Sequence, residues 1–165
     1  ARWGRFGTGG LRVLPNFCIA QNAKQFKNKV NSIGADYHFF GLDFGFEESF
    51  NALISCCVDD ANKDLYIYDE IYVNHITDDR FSYTEDVRNL QDIKKMKRFR
   101  HIYCSPKCKN TIRELKDLTY AKDKQGTMKQ DEFTVDAHTL DAISYSLEHY
   151  MVAHVKETKT NSYSG

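Results

Sequence analysis

Apolar residues alternate with polar ones, or form short unbroken runs, through the first half of the chain. An aromatic run over 37–43 ends at a carboxylate and is typical of a buried central strand. Two further apolar runs, over 51–58 and 65–72, are separated by a polar turn that contains Asn62 and Lys63. Because short connections favour antiparallel pairing, these runs predict a three-strand antiparallel meander.

The second half of the chain mixes helical spacing with short strand patterns. Leu140, Ile143, Leu147 and Met151 recur at helical spacing and form one apolar stripe. Gly126 lies where a hairpin would need its tip. The elements predicted here are a helix over 78–92, a short strand over 101–105, a helix over 109–119, a hairpin over 120–132 and a closing helix over 136–154.

This order of elements is expected of an α/β protein with a ribonuclease-H-like fold. Such a fold has a mixed sheet, in which the antiparallel meander is joined by further strands, and helices flank the sheet. Several α+β folds give the same order of elements, so the residues of the candidate site are needed to distinguish between these folds. We expect 1–36 to be a lead-in or linker that packs on the core, 37–155 to be the folded domain, and 156–165 to be a flexible tail.

Composition supports one compact domain and reveals a segregation of charge. The chain has 165 residues, 41% of them hydrophobic, and 23 basic residues balance 23 acidic ones. Residues 37–70 nevertheless carry one basic residue against eight acidic, whereas 94–124 carry eleven against three. No apolar run approaches the roughly 20 residues that span a bilayer, so we expect no membrane partner.

Asp43 is the first candidate for chemistry. It ends a predicted buried strand and is followed by Phe44 and Gly45, which would let a metal-bound phosphate approach the backbone. The alternative is a solvated Asp in a turn. The Asp-Phe-Gly triplet does not indicate a kinase, because the Gly-rich loop, strand lysine and His-Arg-Asp loop of kinases are absent from the sequence, as is a Walker phosphate loop.

The second candidate lies on the predicted closing helix. His138, Asp141 and Tyr145 fall on one face beside the apolar stripe. A carboxylate and an imidazole one turn apart can ligate or orient a hard divalent cation. The alternative is an exposed acid in the first turn of a capped helix.

Four segments together resemble the C-terminal nuclease domain of the large terminase subunit of tailed bacteriophages. The segments, in the order of the family, are FFGLDFGF at 39–46, LYIYDE at 65–70, LTYAKDKQG at 118–126, and His138-x-x-Asp141-Ala142-x-x-Tyr145. The resemblance covers roughly 37–155. It implies a ribonuclease-H-like endonuclease that cuts concatemeric viral double-stranded DNA during genome packaging and uses two divalent cations, Mg²⁺ or Mn²⁺.

The resemblance also assigns roles to individual residues. Asp43 would bridge the two cations, and Asp141 would be the terminal ligand of one of them. His138 would ligate Mn²⁺ or orient Asp141, and Glu70 is a further candidate ligand. Carboxylates suit this task because Mg²⁺ and Mn²⁺ prefer hard oxygen ligands.

A dense group of lysine and arginine side chains is the candidate DNA-binding surface. Such a group neutralises phosphates without reading sequence, and the alternative is an ordinary solvated face. The members of this basic cluster are Lys94, Lys95, Lys97, Arg98, Arg100, Lys107 and Lys109. Lys122 and Lys124 in the predicted hairpin are a second candidate contact.

The chain departs from the family in one place. The family has a second catalytic Asp, in a segment similar to Ala-Asp-Ser-Ala-Glu, between the helix after Glu70 and the strand at 101–105. The interval from Thr77 to Lys94 lacks this segment and is several tens of residues shorter than in the family. We expect the shortfall near 87–90, and we expect it to be residues left out of this chain rather than an evolutionary deletion, which would impair activity.

The resemblance implies partners as well. These are double-stranded DNA, an ATPase motor domain that precedes the nuclease, the small terminase subunit and the portal. The expected location is the host cytoplasm, in the packaging machinery rather than the mature virion. Two other functions stay open: a non-catalytic DNA-binding or assembly module of the same fold, and another ribonuclease-H-like nuclease such as a transposase or resolvase.

Overall fold

The computed structural model describes residues 12–43, 50–74, 89–133 and 137–155. The predicted tail lies outside these ranges, as do residues 87 and 88 of the predicted join near 87–90. The strands are β1 (Phe17–Ile19), β2 (His38–Asp43), β3 (Phe50–Asp59), β4 (Asp64–Asn74), β5 (His101–Cys104), β6 (Tyr120–Lys122) and β7 (Met128–Phe133). The helices are α1 (Ala23–Ser32), α2 (Asn89–Lys97), α3 (Lys109–Leu115) and α4 (His138–Tyr150), the last continued by a π-helical turn over Met151–Val155.

Five of the strands form one mixed sheet in the order β1-β5-β4-β3-β2. The meander β2-β3-β4 is antiparallel, as the sequence predicts, and β5 and β1 are added in parallel to β4. The remaining strands, β6 and β7, pair with each other in the predicted hairpin, and Gly126 has the positive φ of 83° that its tip requires. The predicted mixed sheet flanked by helices is confirmed.

Several details differ from the sequence prediction, among them that helix α2 extends to Lys97, past the predicted end at 92. The aromatic strand β2 is at the edge of the described sheet rather than its centre, and its side chains alternate, with Phe39 buried and Phe40 63% exposed. An unbroken apolar run does not distinguish a strand buried on both faces from one buried on a single face. Part of the predicted lead-in supplies strand β1, which is one strand of the five-stranded sheet, and helix α1. Helix α3 ends at Leu115, four residues before the predicted end.

The two faces of the sheet have different partners. Helix α4 covers one face, where Leu140, Ile143 and Leu147 of the predicted stripe are almost fully buried in the main core. On the other face α1 contributes Val30 to a smaller cluster, which includes Cys57. The described part of the chain contains no helix that is long and apolar enough to cross a membrane.

Strand β4 contains a one-residue bulge that changes which side chains face α4. Ser55 pairs with Asp69 but the next residue of β3, Cys56, pairs with Ile67, so one residue of β4 is unmatched. Beyond this bulge Glu70 pairs with the buried Ile54 and therefore shares its face of the sheet, towards α4. Bulges commonly re-aim side chains beside functional sites, and here the bulge turns the acid towards the helices.

Helix α4 approaches β2 most closely at Gly41. A Cβ atom on Gly41 would lie 1.7 Å from the backbone oxygen of Ala142 and 2.7 Å from the backbone nitrogen of Ser146. No side chain fits in that space, so the absence of one lets the helix backbone lie directly against the strand. Asp43, two residues after Gly41, is thereby brought near the first turn of α4.

We expect Gly41→Ala to destabilise the fold by about 3 kcal/mol or more, because the new methyl group meets immovable backbone. Urea denaturation measures this change. The matched control is Gly34→Ala, since a Cβ at Gly34 meets nothing within 4 Å and its φ of −64° suits any residue. The control should stay within about 0.5 kcal/mol of wild type. Equal stability of the two variants would contradict the close approach.

Candidate metal centre

Two of the candidate site residues, Asp43 and His138, lie where β2 ends and α4 begins. Asp43 is the last residue of β2 and is 4% exposed, and His138 is the first residue of α4. The Nδ1 atom of His138 lies 3.5 Å from Oδ2 of Asp43. The structure thus places two of the four candidate ligands, Asp43 and His138, next to each other.

Asp141 is one helical turn further along α4. It is partly exposed, and it immediately precedes Ala142, whose carbonyl faces Gly41. Its backbone N–H donates to the carbonyl of Ala137, 3.4 Å away. Over the described ranges, no three His, Cys, Asp or Glu side chains are grouped closely enough to hold a metal ion. The contact between Asp43 and His138 is the geometric basis of the candidate centre.

The chemistry of this pair fits a divalent cation. A buried carboxylate is a hard oxygen donor, and an imidazole nitrogen suits Mn²⁺ better than Mg²⁺. A cation that binds only these groups would keep several coordination positions for water and phosphate oxygens.

Glu70 makes a contact that the sequence did not suggest. Its carboxylate accepts a hydrogen bond of 2.8 Å from the backbone N–H of Asn110, in the first turn of α3. Burial raises the pKa of Glu70, although the backbone N–H groups of Asn110 and Thr111 act to lower it. Glu70 thus caps α3, whose own N-cap residue, Cys108, makes no side-chain cap.

Glu114 is a buried acid next to the site that the sequence did not single out. Its carboxylate accepts hydrogen bonds from the backbone N–H of Thr139 at 2.8 Å and from the Thr139 hydroxyl at 2.9 Å. It also accepts a hydrogen bond from the hydroxyl of Tyr72. Burial, together with the bond to Glu114, raises the pKa of Tyr72. The sequence offers one signal by which Glu114 could have been found: this acid lies between Ile112 and Leu115 on a predicted amphipathic helix.

The structure divides the predicted basic cluster between the two ends of the sheet. Strands β2, β4 and β5 run in the same direction, so their C-terminal ends share the edge that holds Asp43. Lys107 and Lys109 follow β5 and lie at this edge with exposed side chains. Arg98 and Arg100 precede β5 and lie towards the opposite edge.

Some members of the cluster are engaged in packing. Lys95 is only 15% exposed, donates to the Ser144 hydroxyl at 3.1 Å and forms an ion pair with Glu148. Lys97 donates to the hydroxyl of Tyr120 at 3.2 Å. The guanidinium of Arg98 lies 6.0 Å from the ring centre of Tyr150. Lys94, and Lys122 and Lys124 of the hairpin region, have exposed side chains.

Comparisons with known proteins agree with this geometry. Residues 81–149 match the family described as Terminase RNAseH like domain. The chain is 42% identical to the PBSX phage terminase large subunit of Bacillus subtilis (strain 168), over 96% of this chain and 45% of that protein. The chain therefore spans a little under half the length of this relative.

The fold also matches a solved structure, the g2p (large terminase) nuclease domain from the bacteriophage SPP1 with bound Mn. The TM-score is 0.67 at 16% sequence identity, and the match covers 86% of this chain and 100% of that chain. Fold, motifs and relatives agree on a class, a ribonuclease-H-like domain of the terminase type. The chain is similar in sequence and in fold to the ribonuclease-H-like domain of phage large terminase subunits.

The comparison with the PBSX relative also bears on the shortened interval. About 158 residues of this chain, 96% of its 165, are matched to a stretch of 194 residues, so the relative has roughly 36 residues more within the matched region. The comparison gives the size of this difference, and its location near 87–90 stays a prediction.

We expect Lys95→Ala to destabilise the fold by about 1 kcal/mol, because it removes a charged hydrogen bond to Ser144 and leaves Glu148 without its partner. Lys94→Ala is the matched control, since its exposed side chain lies on the same helix. Urea denaturation of both variants measures the difference. A Lys95→Ala variant as stable as the control would make Lys95 a candidate DNA contact again.

Proposed function

We propose that the chain is a metal-dependent endonuclease domain that cleaves concatemeric viral double-stranded DNA during genome packaging. The observation that supports this most directly is the contact between Asp43 and His138 at the end of β2. Asp43 would bridge two divalent cations, Mg²⁺ or Mn²⁺, and Asp141 would be a terminal ligand of one of them. His138 would ligate Mn²⁺ or orient Asp141. The names of the PBSX relative and of the Mn-bound SPP1 domain support the class of reaction and the use of a cation.

The roles of the residues follow from their positions. Two cations, when bound, would activate a water and neutralise the charge that develops on the phosphate. Asp43 supplies a negative charge at a place where burial keeps bulk water from screening it. His138 limits the orientations that this carboxylate can adopt. Asp141 lies on helix α4 rather than on a loop, and a site built on a helix is positioned more precisely than one built on a loop.

The proposed DNA path crosses the edge of the sheet that holds Asp43. Lys107 and Lys109 are the members of the basic cluster that share this edge, and Lys122 and Lys124 extend the candidate path to the hairpin region. Their contribution would be neutralisation of phosphates, which carries no sequence preference. Further proposed partners are the ATPase domain, the small terminase subunit and the portal, in the cytoplasm of the host.

One observation favours a second candidate function. The described residues contain no group of three potential ligands, so the chain is also suited to be a DNA-binding or assembly module without catalysis. The two functions differ in one result: both bind DNA, but only the nuclease breaks it.

We expect slow, Mn²⁺-dependent nicking of supercoiled plasmid that EDTA blocks. Asp43→Asn and Asp141→Asn should each lower the rate about 100-fold or more, because loss of a direct ligand removes several kcal/mol of stabilisation of the transition state. Asp36→Asn, which changes an exposed acid on the 3₁₀ turn Ala35–Tyr37, is the control. Cutting that survives in the Asp43 variant would rule out the assignment. Binding without any cutting would favour the non-catalytic module.

Binding to DNA should weaken alike for all sequences when Lys107 and Lys109 are replaced by Ala. The slope of log K against log salt should become shallower by roughly 0.9 for each phosphate that the protein no longer neutralises. Filter binding at several salt concentrations measures the slope. The control is Lys24→Ala with Lys27→Ala on α1, which removes the same charge from the opposite face of the sheet. Equal slopes for both double variants would show that the DNA does not cross the edge of the sheet that holds Asp43.

A further inference from the structure

Glu114 is an ionisable group held in the core, where its burial has an energetic cost. The side chain is 5% exposed and belongs to α3, which packs against α4. Burying a carboxylate is unfavourable unless hydrogen bonds compensate for the lost water. Glu114 has such compensation from two separate elements, α4 and β4.

The first partner is the start of α4. The N-cap position of this helix is Ala137, which has no side-chain oxygen and makes no cap hydrogen bond. Glu114 replaces the missing cap from a different helix, by accepting from both the backbone N–H and the hydroxyl of Thr139. Thr139 lies between the two candidate ligands His138 and Asp141. The bonds that hold Thr139 therefore fix the turn that carries both ligands.

The second partner is the end of β4. Tyr72 donates its hydroxyl to Glu114, and it shares a transverse row of the sheet with Asp43, because both pair with Ala52. The ring of Tyr72 has its centre 6.5 Å from that of His138. Glu114 thus ties the first turn of α4 to the same row of the sheet that carries the buried acid.

We propose that Glu114 is a positioning residue for the metal centre: it holds His138 and Asp141 at the place where they act together with Asp43. This role rests on the proposed metal-dependent nuclease function. Gly41 sets how closely α4 approaches β2 at Ala142 and Ser146, but this contact lies on the C-terminal side of both ligands. The bonds of Glu114 to Thr139 provide a second fixed point, at the end of the helix where the ligands lie.

The test compares four proteins: wild type, Glu114→Ala, Glu114→Gln and Asp59→Ala. The Gln variant keeps an oxygen that accepts from Thr139 and an amide that can donate to the Tyr72 oxygen. The Asp59 variant is a control for stability alone, since it removes a buried carboxylate that pairs with Lys29 at 2.7 Å at the other end of β3. Each protein is titrated with Mn²⁺, with the rise in Tm and the rate of plasmid nicking as readouts.

We expect Glu114→Ala to raise the Mn²⁺ concentration for half-saturation about tenfold and to lower kcat by a similar factor, as is usual when a group that orients ligands is removed. The KM for DNA should not change. Glu114→Gln should recover most of the metal affinity. Asp59→Ala should lower the Tm measured in EDTA but leave half-saturation by Mn²⁺ at the wild-type value.

Tyr72→Phe provides a second test if the Ala variant does not fold. It removes one hydrogen bond to Glu114 and keeps the ring, so half-saturation should rise by a smaller factor. Unchanged half-saturation and kcat in a folded Glu114→Ala or Tyr72→Phe protein would overturn the proposal, as would an equal loss of affinity in Asp59→Ala. A wild-type protein whose Tm does not respond to Mn²⁺ would instead overturn the proposed function itself.

Discussion

The contact between the backbones of Gly41 and Ala142 is the constraint on which the site depends. A strand and a helix usually keep their axes apart by the thickness of their side chains. At Gly41 that spacer is absent, and the strand touches the helix near the end where both carry polar groups. The pairing of Asp43 with His138 follows from this proximity, because each is within a few residues of the point of contact. Hydrophobic burial along the rest of α4 keeps the contact closed.

The spacing of hydrophobic residues was sufficient to predict those elements whose own residues carry a clear pattern of buried positions. The meander and α4 have strong patterns of their own, and the structure confirms them. Strand β1 was not predicted, because three residues carry too little pattern and its position is decided by pairing with β5, more than eighty residues later. The position of β2 at an edge depends on which segments lie beside it, and no property of the strand itself encodes that.

The candidate site was predictable in part for a related reason. Asp43, His138 and Asp141 belong to sequence motifs, and their carboxylate and imidazole side chains are common metal ligands. Glu114 belongs to no motif, and its burial results from the packing of α3 on α4, which a linear pattern does not show. The basic cluster is contiguous in sequence, yet the direction of β5 separates its two halves in space. Adjacency along the chain therefore overstated how many of its members could act together.

The bulge in β4 makes the pairing of that strand as consequential as its composition. Side chains alternate between faces, so regular pairing of the same residues without the bulge would exchange the two sides of everything after Ile67. Ile71 would then point at the helices, and both the cap of α3 and the partner of Glu114 would point away from them. A relative whose β3 and β4 pair without the bulge can thus keep every residue type of this strand and still lose the arrangement. Conversely, deletion of the unmatched Tyr68 would let Ile67 and Asp69 pair with consecutive residues of β3 and would leave the two faces in place.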